Sequence, residues 1–196
     1  MSDVNEQSTS RTRNVPQQVR TQRLEAFSDG VFAIAITLLV LELSVPESSH
    51  ENPLGAFIGQ WPSYLAYLVS FSTIGALWLG HTLMTEYLEQ ADAALMRLNL
   101  LLLLVVAFLP FPTRLLVEYS HSFEAERVAT TIYGLTLLMA TSLLSLVWRY
   151  ALNEHLVRPD AADRELTALT VRLTPGLAGY VILIALGLFQ PKLAVV

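Results

Sequence analysis

The sequence predicts an all-α polytopic membrane protein, a bundle with five evident transmembrane helices, and three observations carry that expectation. Of its 196 residues, 53% are hydrophobic and 15% charged, where a soluble domain carries about 25% charged residues. Mean hydropathy is +0.48, so the polar surface needed to wrap a water-soluble globule of this size is missing. Five stretches free of Asp, Glu, Lys and Arg approach the length of about 20 apolar residues that crosses a bilayer core.

Residues 1–22 are rich in Ser, Gln and Arg without an apolar segment. They predict a disordered cytoplasmic tail rather than a cleaved signal peptide. Residues 23–196 then form the membrane domain. The first span, about residues 27–43, holds only 12 uncharged residues, Gly30 to Leu41, between Asp29 and Glu42; its acids fall near the two membrane faces. The second, 62–85, opens with Pro62, suited to a first helical turn. The third, 97–117, is a Leu/Val run with Pro110 and Pro112, whose missing amide donors kink or close a helix. The fourth covers 128–149. The fifth, 171–190, is opened by Thr174-Pro175-Gly176 and closed by Gln190-Pro191. The connector from Arg149 to Thr170 is too short for a domain, and the acidic turn of Glu86, Glu89 and Asp92 reads as a solvated loop.

A cytoplasmic N-terminus places nine basic residues inside (Arg11, Arg13, Arg20, Arg23, Arg97, Arg149, Arg158, Arg164, Arg172) and three outside (Arg114, Arg127, Lys192), as the positive-inside rule asks. An odd span count then puts the C-terminus outside.

Several functions are excluded. The 12 basic residues form no run that tracks a phosphate backbone, so nucleic acid is not an expected partner. Without cysteine there is no thiolate metal site or cysteine nucleophile. No P-loop, His-Glu-x-x-His, Gly-x-Ser-x-Gly, Thr-Val-Gly-Tyr-Gly filter or Arg-repeat voltage sensor occurs. Neither an enzyme nor a cofactor is expected.

Ionisable groups inside a membrane are costly and therefore functional candidates. Antiparallel threading brings Asp29, His81 and Asn99 into one layer, with Arg23 just below and Trp78 one turn from His81. Two readings stand: a hydrogen-bonded clamp joining three helices, in which Arg23 neutralises Asp29, or a proton or ion relay. On the first span Ile34, Leu38 and Leu41 recur at i, i+4 and i+7 and line one stripe, with Thr37 beside it. Gly30, Ala33 and Ala35 suit a helix buried among others. Glu42 is either part of a carboxylate ring that concentrates cations or a solvated end-of-helix acid.

The run Arg23-Leu-Glu-Ala-Phe27-Ser28-Asp29 resembles the signature of the transmembrane protein 175 family, potassium channels of animal endolysosomes and their prokaryotic relatives. Trp78-Leu-Gly-His81, Leu98-Asn99-Leu and Pro110-Phe-Pro-Thr113 agree, in the right order. The resemblance implies a modestly potassium-selective channel in the cell membrane, without a re-entrant filter loop and built as a homotetramer, whose partners are its own copies, the lipid bilayer and potassium. By resemblance Ile34 takes the narrowest hydrophobic constriction, Leu38 and Leu41 the next apolar layers, and Thr37 the hydroxyl implicated in selectivity. Arg23, Phe27, Ser28, Asp29, Trp78, His81 and Asn99 fall where the family keeps its inter-helix network. The family implies six spans, whereas the sixth would begin only at Pro191. The competing classes are a proton-coupled small secondary transporter using Asp29 and His81, and a non-transporting membrane scaffold.

Overall fold

The computed structural model describes residues 3–43, 53–119 and 123–173, with side chains of the first helix described from Thr21 and those of the last long helix from Ala125. The predicted fifth span, but for its first three residues, lies outside the described residues, as does the C-terminus. Helix α1 covers Asp3–Leu38 and tightens into a 3-10 turn at Leu39–Glu42. It is followed by α2 (Pro53–Gly59), α3 (Trp61–Glu86), α4 (Ala93–Phe108), α5 (Pro110–Glu118), α6 (Phe123–Asn153) and α7 (Asp163–Leu173). Four stretches are long and apolar enough to cross a membrane: Thr21–Glu42, Trp61–Glu86, Ala93–Glu118 and Ala125–Asn153. Among the described residues the only β pairing is an isolated bridge.

Composition predicts a disordered tail before residue 23, but the backbone is helical from Asp3. Propagating a helix from one already nucleated costs little, and Gln and Arg are good helix formers.

Local chemistry sets the other boundaries. Asp92 stands in extended conformation before α4, and its carboxylate accepts from the Leu95 amide at 2.7 Å, capping an otherwise unsatisfied donor. The same carboxylate accepts from the Tyr150 hydroxyl on α6 at 2.7 Å. The acidic turn is therefore not simply solvated: one of its three acids ties α4 to α6. At Leu109 the third span breaks into α4 and α5, because Pro110 and Pro112 bring no amide hydrogen to the ladder. The Leu109 carbonyl keeps its ladder bond from the Thr113 amide at 3.3 Å and also accepts from the Thr113 hydroxyl at 2.9 Å.

The bundle packs α4 against α1 and α6, with α3 against α1, α5 and α6. Phe32, Leu39, Ile74, Met84, Leu95, Leu102, Val106 and Trp148 are completely enclosed. In a bilayer the apolar driving force is largely satisfied by lipid, so close packing and inter-helix hydrogen bonds hold the helices together.

At the end where α3 meets α4, the connector after α6 docks rather than standing free. Helix α6 finishes with Leu156 N–H on the Ala151 carbonyl at 2.9 Å and His155 N–H on the Leu152 carbonyl at 3.2 Å, with His155 at φ 54°. This is the left-handed closing turn usually given to glycine. Leu156 O then accepts from the amides of Glu89 and Gln90, and Arg158 N–H donates to Tyr87 O at 2.9 Å. Trp148 Nε1 donates to Thr170 Oγ1 at 2.8 Å, which fastens α7 to α6.

Candidate functional site

Among the described side chains of α1 and its 3-10 turn the buried residues are Leu24, Ser28, Phe32, Ala35 and Leu39, spaced by four, four, three and four, so one helical face is pressed into the bundle. The other face carries the predicted stripe. Ile34 is 60% exposed, Leu38 40% and Leu41 73%, with Phe27 at 56% beside them and Gly30, Ala33 and Thr37 also exposed. The Thr37 hydroxyl donates to the carbonyl of Ile34 at 2.9 Å, which leaves its oxygen lone pairs outward on the same face. A Cβ built at Gly30 would meet nothing within 4 Å. Among the described residues, then, no packing demands glycine there.

Ser28, His81 and Asn99 come together as a directed chain. Asn99 Nδ2 donates to Ser28 Oγ at 2.9 Å, so Asn99 Oδ1 faces His81 Nε2 at 2.8 Å and accepts its hydrogen. Ser28 in turn donates to the carbonyl of Leu24 at 2.7 Å. All three side chains are buried, and the Phe32 ring lies 5.5 Å from the imidazole. This tautomer leaves His81 Nδ1 as an acceptor with no partner among the described residues. The chain joins α1, α3 and α4 and ends on a backbone carbonyl of α1.

Asp29 belongs to a separate pair. Trp78 Nε1 donates to Asp29 Oδ1 at 2.9 Å. The expectation that Arg23 neutralises Asp29 is corrected: Arg23 is exposed, and the ion pairs among the described residues do not join the two. Six residues along a helix is a turn of about 240° around the axis, which points the two side chains apart. Arg23 instead lines a groove of about 600 Å³ with Leu24, Phe27, Ala93, Met96, Asn99 and Leu100. Trp78 and His81, one turn apart on α3, thus reach different neighbours on α1.

Glu42, which ends the 3-10 turn, lies 3.9 Å from Arg114 on α5, and Arg114 lies 3.6 Å from Glu118. The Glu42 side chain is 20% exposed, so it is neither fully solvated nor free of a cation. Two further clusters were not anticipated from sequence. Thr113 Oγ1 lies 2.9 Å from Ser70 Oγ, and Ser70 Oγ lies 3.1 Å from the Tyr133 hydroxyl, linking α5, α3 and α6. The Asp92–Tyr150 pair is the other. There the Leu95 amide, opposed next by burial and assisted by the Tyr150 hydroxyl and further backbone amides, holds the Asp92 carboxyl below its ordinary value. An Asp directly before a long apolar helix is a readable cap signal, whereas Ser70, Thr113 and Tyr133 are uncharged and scattered across three helices.

With this geometry in view, the comparisons with known proteins are specific. Residues 23–110 match the family described as Endosomal/lysosomal potassium channel TMEM175. A potassium channel of Streptomyces collinus is 42% identical over 173 residues, which cover 87% of this chain and 84% of that protein. A potassium channel of Chamaesiphon minutus is 41% identical over 186 residues, covering 92% and 90% respectively. The crystal structure of a lysosomal potassium-selective channel TMEM175 homolog from Chamaesiphon minutus superposes with a TM-score of 0.81 at 37% identity, over 90% of this chain and 91% of that one.

Proposed function

The chain belongs to the TMEM175 family of ion channels, is not an enzyme, and from that premise we propose that four copies assemble around a common axis to conduct potassium, with α1 of each copy lining the path. The observation that carries this reading is the division of α1: one face locked into its own subunit, the other an apolar stripe of Ile34, Leu38 and Leu41 that its own subunit leaves uncovered. One helix cannot enclose an ion path. A closed ring with rotational symmetry turns one stripe into a lining.

In that ring Ile34 forms the narrowest layer, with Leu38 and Leu41 successively outward. A tight apolar constriction excludes water and so blocks ions, and widening it by a few ångström rehydrates the path. Potassium passes more readily than sodium because it is more weakly hydrated. Four Thr37 oxygens, turned to the same face, add polar contacts that an apolar ring lacks. Gly30 fits the same picture, since a glycine without internal cause leaves room where four helices approach. The nine-to-three distribution of basic residues supports a cytoplasmic N-terminus. The Ser28–Asn99–His81 chain and the Asp29–Trp78 pair serve as the clamp that fixes how α1 is turned.

Single-channel recording under asymmetric potassium and sodium, paired with a mass measurement of the solubilised particle, tests the proposal. Stepwise potassium currents from a particle of four chains are expected. Substitution Ile34→Ala should raise leak flux in liposomes without loss of stability, because the side chain it shortens is exposed in the subunit. A monomeric particle, saturable proton-coupled uptake without steps, or unchanged flux in the variant would count against it.

A further inference from the structure

The short helix α2 presents an apolar surface that the bundle does not use. Leu54, Phe57, Ile58 and Trp61 are 70%, 63%, 62% and 62% exposed, and α2 has no buried residue. Helix α2 packs on the start of α3, where the rings of Phe57 and Tyr64 approach to 5.0 Å. From Pro53 through Thr85 there is no Asp, Glu, Lys or Arg, so the patch carries no charge to keep it in water. It also runs without interruption into the membrane span: Trp61 opens α3, and Leu68, seven residues on and on the same helical face, is 57% exposed.

We propose that α2 is an interfacial foot, lying at the membrane–water boundary with Leu54, Phe57 and Ile58 inserted among the upper acyl chains and Trp61 at headgroup level. The occupant of this surface is lipid, since the patch is continuous with the exposed flank of a membrane-spanning helix and a tryptophan stands at the junction, where amphipathic rings collect. The inference concerns the outer flank of the subunit and is independent of the number of copies around the pore.

The chain has no cysteine, so single substitutions Leu54→Cys, Phe57→Cys and Ile58→Cys accept spin labels in the full-length protein in liposomes. Collision with oxygen, which partitions into lipid, should exceed collision with a water-soluble nickel complex several-fold at all three sites. As a measurement free of labels, the difference between wild-type and Trp61→Phe fluorescence should be quenched more by lipids brominated near the headgroup than by those brominated deep in the chain, and little by aqueous iodide. Nickel-accessible labels or iodide-quenched Trp61 fluorescence would overturn the proposal in favour of a solvated loop. Labels shielded from both reagents and coupled to one another at short range would overturn it in favour of contact with a second copy.

Discussion

The membrane-spanning stretch Thr21–Glu42, made of the end of α1 and its 3-10 turn, is held toward its two sides by different chemistry. Near Ser28 it is tied to α3 and α4 by hydrogen bonds among uncharged groups sealed inside the bundle. Near Glu42 it meets α5 through an ion pair at 3.9 Å whose arginine is 64% exposed. The first kind of tie is expensive to break, because a buried donor or acceptor that loses its partner costs about 1–3 kcal/mol. The second contributes roughly 0–1 kcal/mol and weakens with salt. The comparison teaches that the polar tie at one end of the proposed pore helix is strong while at the other it is weak and buried Leu39 is the main anchor, so widening of an apolar constriction is expected to begin at the Glu42 end.

The most severe test of the fixed end is Asn99→Leu, which removes both side-chain bonds at once and strands His81 Nε2–H. A loss of about 3 kcal/mol is expected, read as a lower midpoint for thermal or detergent unfolding. A change below about 1 kcal/mol would mean that the chain is not a clamp. Substitution Asp29→Asn is milder, because the amide oxygen still accepts from Trp78 and only the charge assistance is lost. We expect roughly 1 kcal/mol, with less effect on ion selectivity than on assembly. A stable assembly with altered pH dependence would instead favour a proton relay.

Asp92 sharpens the comparison from the far side of α4, since it caps the helix that carries Asn99. Its carboxyl is held below its ordinary value by the Leu95 amide, so its stabilisation is present above the unfolded-state pKa near 3.9 and is lost as pH falls through the lower folded value. Wild-type protein should lose stability below about pH 4 more steeply than Asp92→Asn, which keeps a capping oxygen without the titration. Substitution Asp92→Ala should cost on the order of 1 kcal/mol at neutral pH. Parallel acid profiles for wild type and Asp92→Asn would remove Asp92 from the account.

What was readable in advance follows the same division. Asp29, His81 and Asn99 are expected at one depth because antiparallel spans of known direction fix height along the membrane normal, and polar groups in apolar spans advertise themselves, whereas Ser28 enters only through the family resemblance. Azimuth is not fixed in that way. The expected Arg23–Asp29 pair failed because depth alone brought the two close, while the turn of the helix parts them and Trp78 arrives from α3. Ser70, Thr113 and Tyr133 carry no such signal, for a related reason. A hydroxyl in a helix can satisfy itself on the carbonyl one turn back, as Thr113 partly does, so nothing in the sequence says when it also reaches across. The exposed stripe of α1 was legible as periodicity, but its uncovered state depends on which face the clamp selects.

The smallest expected effect tests the loose end. Substitution Arg114→Gln removes the cation that Glu42 and Glu118 share, and stability should fall by less than about 1 kcal/mol. That loss should fade as ionic strength rises, because about 10 Å of screening length at 0.1 M shrinks to about 3 Å at 1 M. Two carboxylates left facing one another push the end of the 3-10 turn away from α5, so the probability of an open path should rise at low salt and return toward wild type at high salt. Exchanging the charges, Glu42→Arg with Arg114→Glu, should restore the wild-type response if the pair itself matters. It would fail to do so if Arg114 acts only through Glu118 one turn along its own helix. A salt-independent loss as large as that of Asn99→Leu would erase the contrast between the two ends, and with it the expectation that opening starts at Glu42.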